Sequence, residues 1–135
     1  MIQGSCLCGA VRYQYAGELG VITICHCSDC RKAQGSTGVA AAVVEATKFQ
    51  WTSGAQLIRE YASSPGKKRA FCGDCGAPLY SRREDLPQVL RLRMGSIDTP
   101  IQATPSAHIF VSNLPAWAAL DEDWPRYERQ EPGRR

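Results

Sequence analysis

The sequence predicts a mainly β single domain of packed antiparallel sheets. Three observations predict it. Short runs rich in apolar and β-branched residues succeed one another along the chain, Gly and Pro punctuate the gaps between them, and no segment carries the periodicity of a long amphipathic helix. At 135 residues the chain fits one domain. That length can bury a core without covalent staples, which are generally needed only below roughly 40 residues.

The elements follow in order. Ala10 to Tyr15 (AVRYQY) alternates apolar and polar residues, as a half-buried strand does. Gly20 to Cys25 (GVITIC) is β-branched, and Gly38 to Val44 (GVAAAVV) is a continuous apolar run suited to a buried strand. FQW and LIREYA flank TSGA, which reads as a hairpin turn, and SSPGKK is a second turn leading into RAFC. PLYSR, QVLRLRMGSI and AHIFVS complete the set. Val89 to Met94 alternates cleanly, with Val89, Arg91 and Arg93 on one face and Leu90, Leu92 and Met94 on the other. Arg82, Arg83, Arg91 and Arg93 read as exposed. Trp51, Trp117 and Trp124 read as core rather than as a ligand surface. Ser28 to Gln34 (SDCRKAQ) reads as a single helical turn with Ser28 as its N-cap. The expected domain covers residues 1–128, with a flexible tail at 129–135.

Composition narrows the function classes. Hydrophobic residues make up 44% and charged residues 21%, ordinary values for a soluble globular protein. No apolar run approaches the roughly 18 residues of a membrane span, and the N-terminus lacks the charged and apolar regions of a secretion signal. A cytoplasmic protein is therefore expected. The formal charge of +3, with basic runs as short as GKKR and GRR, argues against nucleic acid. If all seven cysteines held two zinc ions as thiolates, the net charge would fall to about zero. Nothing in the pattern fixes an oligomeric state.

The seven cysteines carry the chemistry. An odd number, spaced C-x-C, C-x-C-x-x-C and C-x-x-C, fits a disulfide framework poorly and fits metal in a reducing compartment well. Phe71 to Tyr80 (FCGDCGAPLY) resembles a zinc knuckle, because Gly73 and Gly76 let the backbone turn so that amide N–H groups face the sulfurs. A thioredoxin-like redox pair would open a helix, whereas Pro78 leads into a strand-like run. Gly4 to Gly9 (GSCLCG) offers Cys6 and Cys8 on one side of a bent strand. With Cys72 and Cys75 they give a closed four-thiolate site of the structural kind. Cys25, Cys27 and Cys30 remain, one ligand short of a tetrahedron, which is the layout of a catalytic zinc with an exchangeable position. Closure by His108 or a carboxylate such as Asp98, a metal-free redox trio, and other partitions of the cysteines are the alternatives. His26 lies between two ligands and would strain to join them.

The motifs GSCLCGAVRY, CHCSDCRKAQGS, FCGDCGAPLY, MGSID, HIFVSNLPAW and DEDWPRYE together resemble the glutathione-dependent formaldehyde-activating family, also called the centromere protein V family. They run in order over nearly the whole chain. The resemblance implies a β-tent fold, similar to a Rab-binding release chaperone and to methionine sulfoxide reductase B. It implies two zinc ions, with Cys6, Cys8, Cys72 and Cys75 at the structural site and Cys25, Cys27 and Cys30 at an under-coordinated one. The implied reaction joins glutathione, or a similar small-molecule thiol, to formaldehyde or a related small aldehyde, classed as a carbon–sulfur lyase in reverse. The expected substrate thiol takes the open zinc position as thiolate and attacks the aldehyde. His26, His108 or Ser96 would supply the proton, and Arg31 and Lys32 are candidates to hold a substrate carboxylate. A zinc-stabilised binding module without chemistry and a thiol redox sensor are the rival readings.

Overall fold

The alternating β2 strand (Arg12–Tyr15) buries Tyr13 and Tyr15 on one side, and that side faces a second sheet. In this computed structural model, which describes residues 1–120 and 123–135, ten strands form two sheets. Asp121 and Glu122, which open DEDWPRYE, lie outside the described residues. The small sheet has the order β1-β2-β5, where β1 is Ile2–Ser5 and β5 is Phe49–Ser53. The large sheet has the order β10-β3-β4-β9-β8-β7-β6. Its strands are β3 (Ile22–Cys25), β4 (Val39–Glu45), β6 (Ile58–Ser64), β7 (Lys67–Cys72), β8 (Pro78–Arg83), β9 (Val89–Arg93) and β10 (Ala107–Ile109). The mainly β class expected from the sequence is the class found.

The core lies between the sheets. Tyr13 and Tyr15 from β2 pack on Val44 from β4 and on Leu90 and Leu92 from β9. Phe49 stacks on Tyr13 at 4.8 Å and meets Trp51 edge-on at 4.8 Å. Trp51 is thus a core residue, whereas Trp117 is exposed. Gly4 is needed where β1 crosses close to the Tyr13 ring and the backbone oxygen of Ser96, because any Cβ there would overlap both.

Four local expectations are corrected. TSGA does not close a hairpin: β5 and β6 belong to different sheets, and the segment carries the chain from one to the other. SSPGKK does close one, between β6 and β7. Pairing is antiparallel except where β10 lies parallel to β3. Cys6 and Cys8 sit in a turn beyond β1, closed by Gly9 N–H to Cys6 O (3.1 Å), rather than on a bent strand. The helix α1 (Ser28–Gln34) is a full seven residues, and its N-cap is Cys27, whose sulfur accepts from the Cys30 N–H at 3.3 Å.

Candidate metal centres and the cavity beside them

Two turns from different sheets build the first cluster. Cys6 and Cys8 follow β1 of the small sheet, and Cys72 and Cys75 flank the β7–β8 turn of the large one. The four sulfurs lie within 4.8 Å of one another. Cys6 Sγ and Cys8 Sγ are 3.6 Å apart, and Cys8 Sγ and Cys72 Sγ are 4.0 Å apart. A tetrahedron with metal–sulfur bonds of about 2.3 Å has an edge of about 3.8 Å, so the donor set fits zinc in size as well as in chemistry.

The turn backbone supports thiolates at this cluster. Val11 N–H donates to Cys6 Sγ at 3.3 Å. The Cys72–Gly76 turn is closed by Gly76 N–H to Cys72 O at 2.8 Å, with Gly76 at φ 76°, a conformation open to glycine. Cys75 is pulled down to about 6, first by the Ala77 backbone N–H and then by that of Cys8. Cys72 is fully buried and packs with Cys6, Val11 and Leu79.

The second cluster comes from one contiguous segment. Cys25 ends β3, Cys27 caps α1 and Cys30 lies in the first turn of α1. Their sulfurs also lie within 4.8 Å of one another, and among the described residues no fourth Cys, His, Asp or Glu joins them. The pKa of Cys30 is held far below the usual thiol range by hydrogen bonds from Cys25, then from Cys27 and from Arg69, while that of Cys25 is raised by Cys27 and then Cys30. Arg69 Nη1 approaches Cys30 Sγ at 3.4 Å.

His26 and His108 are placed together but apart from the sulfurs. Both are buried, and His26 Nε2 lies 2.8 Å from His108 Nδ1. The Thr37 carbonyl, 2.9 Å from His26 Nδ1, can only accept. In the neutral pair His26 therefore carries its proton on Nδ1, and His108 Nδ1–H donates to His26 Nε2. Neither imidazole joins the three sulfurs. Ser96 donates to Arg93 O at 2.8 Å and lies 2.7 Å from the Tyr13 hydroxyl. Asp98 accepts from Ser5 Oγ at 2.6 Å. Arg31 donates to the Asn113 carbonyl at 3.0 Å, and Lys32 is exposed.

The trio opens into a cavity of about 350 Å³. Its walls are the face of the large sheet turned away from the small one, α1, the loop after β10, and Arg134 from the C-terminal segment. Here the sequence reading of the arginines is corrected. Arg91 and Arg93 share one face of β9 as expected, but that face is enclosed, and they are only 8% and 7% exposed. The cations that line the cavity with the trio are Lys67, Arg69, Arg91, Arg93 and Arg134, not Arg31 and Lys32. Phe110, also in the wall, sits at φ 54°, a left-handed conformation that a bulky residue rarely adopts. Sequence reasoning missed Lys67, Arg69, Phe110 and Arg134; the alternation of β9 was the one signal that pointed toward this face.

Burial gives Lys67 a measurable signature. Desolvation, with the Arg69 charge second, pulls its ammonium down from 10.5 to about 8. Between those values the unfolded chain binds the extra proton, so stability rises with pH there. Lys67→Met is expected to raise stability by about 1–3 kcal/mol at neutral pH, a gain that fades above pH 8 and is absent above 10.5. Urea unfolding of both proteins across that window checks it.

A two-sheet β domain with one complete and one incomplete thiol tetrahedron, the latter at a cationic cavity, defines a small protein suited to thiolate-bound metal. The comparisons then give its kind: the chain belongs to the glutathione-dependent formaldehyde-activating enzyme family, whose pattern matches residues 1–113. A Halomonas elongata protein whose name places it among these enzymes is 29% identical over 129 residues, covering 90% of this chain and 82% of that one. An uncharacterised lyase of Schizosaccharomyces pombe is 33% identical over 78 residues, 58% of this chain and 55% of that protein. A crystal structure of a Rhodobacter sphaeroides protein shares the fold with a TM-score of 0.60 at 23% identity, covering 74% of this chain and 91% of that one. No helix among the described residues is long and apolar enough to cross a membrane.

Proposed function

We propose that this protein is a zinc-dependent carbon–sulfur lyase-like enzyme that adds a glutathione-like thiol to formaldehyde or a related small aldehyde. The observation that carries the reading is the incomplete trio: three sulfurs from Cys25, Cys27 and Cys30, no fourth protein donor among the described residues, and a cavity beside them. Cys25, Cys27 and Cys30 would hold the zinc, which would supply the Lewis acidity that favours a substrate thiol as thiolate. Family membership and the names of the relatives support the same chemistry. Zinc at the four-thiol cluster is structural.

The chain's own residues do the rest. The carbon–sulfur bond forms as the aldehyde carbonyl π pair moves onto oxygen, and the thiol proton ends on that oxygen. Lys67 lines the cavity, and with its ammonium near 8 it hands a proton to the emerging alkoxide and recovers one from the next thiol. Arg69 beside Cys30 stabilises negative charge on the sulfurs. The buried His26–His108 pair orders the segment between Cys25 and Cys27 through Thr37.

Metal analysis and a cobalt-substituted second site test this. Two metals per chain, a cobalt spectrum that changes with millimolar glutathione, and faster formation of S-(hydroxymethyl)glutathione than in buffer are expected. An unchanged spectrum with no acceleration would overturn the catalytic reading in favour of a zinc-stabilised binding module.

A further inference from the structure

The floor of the cavity is written across the large sheet. Arg69, Ser81 and Arg91 stand opposite one another on β7, β8 and β9, and Thr23, Ala41 and Arg93 do so on β3, β4 and β9. Both rows line the cavity. Ala41 and Ser81 are small, so the middle of the sheet is left open between arginine walls. Ser81 is 1% exposed. Its hydroxyl and Arg91 Nη2 are both buried without a hydrogen-bond partner. Among the described residues, no carboxylate lies within ion-pair distance of Lys67, Arg91 or Arg93. Arg134 is already matched by Glu131 at 3.0 Å, and Asp29 is the one carboxylate in the lining.

Such an arrangement is costly when empty. Glu131 reaches Arg91 only from beyond ion-pair distance, and a buried cation without a direct partner and an orphan hydroxyl each forfeit hydration. Burial pulls the Arg91 guanidinium down to about 10. A planar N–H fork beside an O–H donor, both lacking acceptors, matches a carboxylate. The trio with zinc would carry one negative charge, which leaves the four cations on the sheet largely uncompensated.

We propose that Arg91 and Ser81, supported by Arg93, form an anion subsite, and that the thiol whose sulfur reaches the trio carries a carboxylate bound there. The placement of the thiol rests on the function proposed above; the subsite does not. The cavity therefore selects anionic thiols over neutral ones.

The cobalt-substituted protein tests this with three probes: 3-mercaptopropionate, 2-mercaptoethanol and succinate, which has carboxylates but no thiol. The spectrum is expected to change at roughly 10- to 100-fold lower 3-mercaptopropionate than 2-mercaptoethanol, as charged hydrogen bonds would give. Succinate should raise the melting temperature. Arg91→Met should erase both effects, yet be at least as heat-stable as the parent without ligand, because it removes an unpaired buried charge. Ser81→Ala keeps the charge and should lose roughly tenfold of the preference, which provides a second variant if Arg91→Met does not fold. Equal titration by the two thiols together with no effect of succinate would overturn the subsite and leave the thiol site standing. A silent spectrum with Arg91-dependent stabilisation by succinate would support the subsite and overturn the thiol reading.

Discussion

Cys72→Ser is expected to yield a protein that does not fold at room temperature. Among the described residues, the four-thiol cluster is the one metal-ligating group that draws on both the β1–β2 turn and the β7–β8 turn, so a metal held there would clamp the small sheet to the large one. Structural zinc contributes about 10–16 kcal/mol to the folding of small domains, comparable to or larger than the roughly 5–15 kcal/mol net stability of a typical one. Losing one of four ligands removes a large share of that. Cys72 is also fully buried among Cys6, Val11 and Leu79, where a serine hydroxyl would displace a sulfur from an apolar setting. Loss of the β signal in circular dichroism, and the same loss when a strong chelator strips the parent, are the expected results. A soluble variant that melts like the parent would show that this cluster does not hold the sheets together.

The division of sulfurs was legible in the sequence because ligand spacing is a local property. C-x-x-C with a glycine after each cysteine encodes a turn whether or not the rest of the fold is known, and Cys75 does receive the Ala77 and Cys8 amides. The strands were legible for the same reason, through alternation and β-branching. What could not be read was the partnership between elements. TSGA has the chemistry of a turn, but turn chemistry does not say whether the strands it joins pair with each other or enter separate sheets. Ser28 is the better N-cap by preference, yet Cys27 takes that place, which points its sulfur at the Cys30 amide and brings it to the trio. Arg91 and Arg93 were assigned to one face correctly and to solvent wrongly. Alternation separates two faces of a strand but does not reveal that α1, the Phe110 loop and Arg134 cover one of them.

The same difference in construction sets the outcome at the other cluster. Cys27→Ser is expected to leave the fold intact and abolish the proposed reaction. All three sulfurs of the trio come from residues 25 to 30, so releasing an ion there detaches no sheet from another. Serine is moreover a good substitute in the structural part of Cys27's role, since its oxygen can accept the Cys30 N–H and cap α1 at least as well as sulfur does. What it cannot supply is the third thiolate. Losing even an outer-shell partner lowers metal affinity about 10–100-fold, so losing a direct ligand should lower it further. The variant should therefore carry one zinc in place of two, melt within a few degrees of the parent, and form S-(hydroxymethyl)glutathione no faster than buffer. Parent-level acceleration by a protein with one zinc would place the chemistry elsewhere. Unfolding on the loss of Cys27 would mean that the trio is a second structural clamp, as the binding-module reading requires.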